Sequence, residues 1–222
     1  MFIEHPTDPM NRPKLNQVSK WDLPWADITK LPYNITGPYL KTLFDKVFID
    51  GLHNPMQRPT AEEWEIGLLK TTDLMQKCHN TSCEQKWYVF DNTNTPRCPF
   101  CNTTHKGTLP VLDLYYQFQA TVWKPENHRL MVYNDQYLFQ WHVNRNIARN
   151  EKLSSEQKVP VGYFTFHNDK WVFVNQKLTS LKDVTEDKEI PIGAMLELTD
   201  GKKILLSKEE GGRVIVVTMA NK

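Results

Sequence analysis

The 222-residue chain is 40% apolar and carries seven tryptophans, a composition that supports folded cores and excludes a disordered polypeptide. Its net charge of +1, from 27 basic and 26 acidic residues, gives no global attraction for nucleic acid, membrane or acidic substrates. No apolar run reaches the length of a membrane span, and Met1-Phe2-Ile3-Glu4-His5-Pro6 has neither the basic start nor the apolar run of a secretion signal. The expectation is a cytoplasmic protein of several parts with no membrane partner.

Residues 1–37 hold Pro6, Pro9, Pro13, Pro24 and Pro32 together with Trp21 and Trp25, which predicts an extended stretch pinned by aromatic anchors. Gly37-Pro38 should then open a helix, with proline at the first position, where no amide donor is needed. Leu40, Leu43, Phe44, Val47 and Phe48 recur at helical spacing and predict one buried face. Gly51 stands where a left-handed residue ends a helix. Thr60-Ala61-Glu62-Glu63 is a capping box for a second helix, expected to bury Trp64, Leu68 and Met75.

The cysteines follow. Cys78, Cys83, Cys98 and Cys101 are the only four, spaced C-x4-C, fourteen residues, then C-x2-C. Two short knuckles, each giving two thiolates and joined by a loop long enough for a hairpin, are what a tetrahedral metal site needs. Four thiolates fill zinc's shell and leave no position for water or substrate, so the expected cofactor is a structural Zn²⁺. Two disulfides are the competing reading, but they belong to oxidising compartments for which the chain carries no entry signal. The N-x-S/T triplets at Asn34, Asn80 and Asn102 then read as chance matches. Lys86–Phe90 is a predicted strand between the knuckles, and Asp91–Pro96 the turn back to Cys98. Leu109–Val122 is expected to be a further strand leading away from a zinc ribbon, and His79 and His105 to be solvated loop residues.

The rest is predicted to be all-β. Arg129–Tyr133 and Gln136–His142 should pair about Asn134-Asp135, with Tyr137, Phe139 and Trp141 alternating as in a half-buried strand. Val161–His167 and Lys170–Asn175 flank Asn168-Asp169, and Met195–Thr199 and Lys202–Ser207 flank Asp200-Gly201, the strongest hairpin signal. Arg213–Thr218 closes the series after Gly211-Gly212. Short antiparallel strands at this spacing predict a small sandwich or barrel. The fold class is therefore multi-part α+β: residues 1–77 helical, 78–124 a zinc ribbon with its connecting strand, 125–222 a small antiparallel β-sandwich.

Two stretches resemble known families. The helix ending in Phe48-Ile49-Asp50-Gly51-Leu52, then Asn54-Pro55-Met56-Gln57-Arg58-Pro59-Thr60 and Glu63-Trp64, resembles the end of a protein-kinase C-lobe, and His5-Pro6 looks like that family's His-Pro after its long central helix. In such kinases the arginine at the place of Arg58 anchors the activation segment. Followed by the cysteine module with Cys98-Pro99-Phe100-Cys101 and a β-domain, the whole is similar to bacterial Ser/Thr kinases of tellurite-resistance and stress loci. That resemblance implies partners in a kinase domain, a phosphatase or a von Willebrand factor A-type protein. The chain nevertheless has no glycine-rich phosphate loop, catalytic-loop His-Arg-Asp or Asp-Phe-Gly, so no phosphoryl transfer and no catalytic residue is expected. Trp171–Asn175, Ile190–Leu198 and Gly201–Leu206 resemble later strands of a forkhead-associated (FHA) sandwich. The family's early Gly-Arg and Ser-x-x-His have no counterpart at the matching place, and Gly212-Arg213 comes before the last strand instead.

The functional expectation is a non-catalytic regulatory or scaffolding C-terminal region of such a kinase, acting by protein–protein recognition. A nucleic-acid-binding ribbon is one alternative, for which the ribbon offers only Lys86, Arg97 and Lys106; a divergent phosphopeptide-binding adaptor is the other. Arg58 reads as a link between helices, Lys202, Lys203 and Lys208 as a solvated hairpin, and Glu62, Glu63 and Glu65 as a helix start.

Overall fold

The computed structural model describes residues 33–91, 96–119 and 122–221. The expected extended stretch with Trp21 and Trp25, the His5-Pro6 pair and residues 92–95 of the turn lie outside them. The chain divides into two compact units, one of Met1–Asp91 with Arg97–His105, the other of Asn92–Pro96 with Lys106–Lys222.

In the first unit a 3-10 turn over Tyr33–Thr36 runs into helix α1 (Gly37–Asp45), with Pro38 at its start as predicted, and α1 widens into a π turn over Lys46–Asp50. Gly51 ends it, but not by handedness. Its φ of −88° suits any residue. Glycine is required there by close approach, since a Cβ would lie 2.6 Å from Arg58 Cγ and 2.7 Å from the Lys46 carbonyl oxygen. Arg58 closes the same corner, its Nε donating to Gly51 O at 2.8 Å and its guanidinium to Leu52 O at 3.3 Å. These bonds make it a brace between the helices.

Helix α2 (Ala61–Thr72) begins with the expected capping box: Glu63 N donates to Thr60 Oγ1, and Thr60 N donates to Glu63 Oε2. Its inward positions are Gly67 and Thr71. Leu43 of α1 reaches into the space over Gly67, where a Cβ would stand 2.5 Å from Leu43 Cδ1. Two helices this close need a small residue at the crossing, which turns Leu68 outward to 51% exposure, against the prediction. Trp64 packs edge-on to Phe44 with ring centroids 5.3 Å apart, while Phe48 lies at the rim. Met75, expected in the helix, instead starts strand β1 (Met75–Lys77), which pairs antiparallel with β2 (Trp87–Val89). Fully buried Leu74 sits between helix and strand, and its carbonyl accepts from Phe90 N.

The second unit contains β3 (Leu109–Gln119), β4 (Val122–Met131), β5 (Gln136–Leu138), a four-residue helix α3 (Gln140–Val143), β6 (Gly162–His167), β7 (Lys170–Asn175), β8 (Lys182–Asp183), β9 (Lys188–Glu189), β10 (Met195–Glu197), β11 (Lys203–Leu205) and β12 (Arg213–Ala220). They form two antiparallel sheets, in the orders β4-β3-β12-β11-β8-β9 and β10-β7-β6-β5. One core lies between them: Leu112, Leu114, Leu130, Ile215 and Val217 from the larger sheet meet Leu138, Phe164, Phe173 and Leu196 from the smaller. The mixed α/β class with mostly antiparallel sheets agrees with the expectation. Among the described residues no helix is long and apolar enough to cross a membrane.

Pairing differs from the local predictions in three places. Leu109–Gln119 is not a strand of the metal module; it is a central strand of the larger sheet, between β4 and β12. The segments flanking Asn134-Asp135 do not pair with each other: Asp135, at φ 65°, donates to Phe164 O and sends the chain from β4 in one sheet to β5 in the other. Phe139 and Trp141 lie past the end of β5, with rings stacked 4.3 Å apart. Likewise Asp200-Gly201 joins β10, which pairs with β7, to β11, which pairs with β12 and β8. It is a tight turn between sheets, fixed where Gly201 N donates to Val217 O and Met219 N to Asp200 Oδ1. By contrast β6 and β7 form the predicted hairpin, with Asn168 and Asp169 at φ 49° and 60°, the double left-handed turn that matches strand twist.

Candidate metal centre

The four cysteine sulfurs lie within 4.8 Å of one another, the one such cluster of metal-capable side chains among the described residues. Each pair is set by a backbone turn. In the first knuckle Cys78 N donates to Lys86 O at 2.7 Å, Cys83 N donates to Asn80 O at 3.0 Å, and Lys86 takes a φ of 56° to turn the chain into β2. In the second, Cys98 N donates to Thr103 O and Asn102 N to Cys98 O, both at 2.9 Å, with Asn102 at φ 62°. A bridge between Arg97 and Thr104 closes that loop. Asparagine is a residue that tolerates this left-handed position, so Asn102 directly after Cys101 has a backbone reason.

Sγ–Sγ approaches are 3.5 Å for Cys78–Cys101 and 3.9 Å for Cys83–Cys98, each across the two knuckles. A tetrahedral ion with metal–sulfur bonds of about 2.3 Å holds its ligands about 3.8 Å apart, whereas a disulfide needs about 2.05 Å. The four side chains are free thiols at metal-cage spacing. Cys78, Cys83 and Cys98 are buried and Cys101 partly so.

Burial pushes the Cys78 thiol up to about 12 and also raises Cys98, against the backbone amides of Asn80 on the first sulfur and of Cys101 and Phe100 on the second. Cys101 goes the other way, to about 6, led by its hydrogen bond with Thr103 at 3.2 Å. Burial also raises Tyr88, with further contributions from the charges of Cys98, Cys78 and Cys101. Burial thus disfavours negative charge on Cys78 and Cys98, and a bound cation is what would compensate it there. The donor set suits a soft-accepting divalent ion and has no place for a fifth partner.

His79 and His105 do not both match the solvated-loop reading. His105 is buried, its ring 3.9 Å from that of exposed His79, and burial followed by the neighbouring His79 lowers its pKa to about 4. Neither ring belongs to the sulfur cluster.

Comparisons with protein-family models, with curated proteins and with solved structures found no match.

Two buried ionic sites in the second unit carry no sequence signal. Lys202, expected on a solvated hairpin, is 6% exposed; its Nζ donates to Asp183 Oδ2 at 2.7 Å and to Glu186 Oε1 at 2.9 Å. Lys208 pairs with Glu189 at the surface, as a solvated residue should. Arg213, of the Gly212-Arg213 pair, is also buried. Its Nε and one terminal nitrogen donate to Glu126 Oε2 at 3.0 and 2.6 Å, and the other terminal nitrogen donates to Trp141 O at 2.6 Å. Partners 19 and 87 positions away in the chain explain why neither site is visible locally.

Proposed function

We propose that the chain is a non-catalytic regulatory or scaffolding region acting by protein–protein recognition, with one structural Zn²⁺ held by Cys78, Cys83, Cys98 and Cys101. The carrying observation is the geometry of the four sulfurs, two cross-knuckle approaches of 3.5 and 3.9 Å with three of the four cysteines buried. Such a set is complete without water or substrate, which favours a folding role over a chemical one. The resemblance to the end of a kinase C-lobe gains support from the helix pair and from Arg58, which braces the corner between them. On this reading the partners are a kinase domain, a phosphatase or a von Willebrand factor A-type protein from the same locus.

A phosphopeptide-reading role is disfavoured by the engagement of Arg213. A phosphate clamp needs convergent free donors, and this guanidinium already faces a carboxylate and a carbonyl. Metal analysis of the purified chain tests the first half: one zinc per chain is expected, and a metal-free, fully folded protein would refute it. For the second half, the chain is mixed with the kinase domain encoded in or beside its reading frame. Zinc-dependent co-elution is expected; no association with the zinc-loaded chain at micromolar concentration would sink the kinase-region reading.

A further inference from the structure

We propose that Cys101 is the site at which a hydroperoxide enters the sulfur cage, and that Cys78 resolves the oxidised sulfur as a disulfide joining the two knuckles. The inference rests on the zinc reading above and concerns the same four side chains. Cys78, Cys83 and Cys98 are 7%, 4% and 0% exposed, so a small oxidant reaches the partly exposed Cys101 first. The sulfur 3.5 Å from it, Cys78, belongs to the other knuckle, and the remaining close approach, Cys83 to Cys98 at 3.9 Å, also crosses between knuckles.

In the first step the Cys101 thiolate attacks the peroxide: an S–O bond forms, the O–O bond breaks, and the departing oxyanion takes a proton from solvent. The Cys78 thiolate then attacks that sulfur. An S–S bond forms, the S–O bond breaks, and the leaving hydroxide is protonated. Two thiolates have lost two electrons and one hydrogen peroxide has become two waters. Cys83 and Cys98 are left as half a coordination shell, and the ion is released; a second peroxide converts them to a second disulfide by the same steps. Both products cross-link what the ion cross-linked. Oxidation therefore exchanges a metal clasp for a covalent one, and the hairpin between Cys78 and Cys101 stays closed after the zinc has gone.

The experiment first measures zinc per chain, then adds hydrogen peroxide in stoichiometric steps, following released zinc with a chromogenic chelator and disulfides by non-reducing peptide mapping. Zinc release should accompany a Cys78–Cys101 disulfide, and the oxidised, zinc-free protein should keep protected amides in β1 and β2, which the reduced, chelated protein loses. A Cys98–Cys101 disulfide as first product, or loss of that protection on oxidation, overturns the proposal. Brief alkylation of the wild-type zinc form should label Cys101 ahead of the other three; labelling of Cys83 or Cys98 first also overturns it. Absence of zinc at the outset refutes the metal reading instead, and the disulfide map still decides the pairing.

Discussion

Lys202 illustrates at the level of one residue why burial changes the meaning of a charge. Burial works against its ionised form, but Asp183 and Glu186 outweigh that and hold its pKa above 10.5; Asp183, buried in turn, is held below 3.8 by Lys202 and the amides of Glu186 and Thr185. Lys202→Met leaves Asp183 as an uncompensated buried carboxylate, which should cost about 3–5 kcal/mol at neutral pH. The sign with pH follows. Asp183 with its partner has a depressed folded pKa, so its contribution is present above 3.8 and is lost as pH falls through the folded value. Without Lys202 burial is opposed only by the amides of Glu186 and Thr185, so the folded pKa rises relative to the wild type and the variant loses less on protonation as pH falls. Urea unfolding of both proteins between neutral and acid pH should show the gap narrowing; a gap independent of pH would mean that the pair contributes packing and not charge.

Among the elements, turns fold as their residues dictate, but the partners of the flanking strands are chosen by the core. In the β6–β7 hairpin Asp169 pays a side-chain penalty at φ 60° that glycine avoids, so Asp169→Gly should stabilise by about 0.5–1 kcal/mol, read as a higher thermal midpoint. Gly162 in β6 has the opposite character: a Cβ there would meet Phe173 Cζ at 2.4 Å and Val174 O at 2.5 Å. Because one obstacle is backbone, Gly162→Ala should destabilise by about 1–3 kcal/mol in the same assay. These contrasts show what a sequence exposes. Capping box, cysteine knuckles and the Asn168-Asp169 turn rest on neighbours within a few positions and were legible. Asp200-Gly201 was equally clear as a turn, yet nothing local tells whether the strands beside it pair together or with β7 and β12. The inward face of α2 was misread because Gly67, not Leu68, meets Leu43, a preference created by a second helix.

For the molecule as a whole, two separate sources of order are at work. The larger unit has an apolar core shared by two sheets, while β1 and β2 have three residues each and the four clustered cysteines beside them. Zinc in such small modules supplies roughly 10–16 kcal/mol of folding free energy. Chelation under reducing conditions should therefore abolish hydrogen-exchange protection around Met75–Val89 and leave the amides of β3, β7 and β12 protected; uniform loss, or none, would contradict this division. The strand β1 bears on ancestry as well. It follows α2 after only two residues, Asp73 and Leu74, and the Leu74 carbonyl accepts the hydrogen bond from Phe90 beyond β2. A recombination event that cut just before Cys78 would carry off two knuckles stripped of the strand they fold against. Strand β1 and the cysteine knuckles should consequently be inherited as one piece.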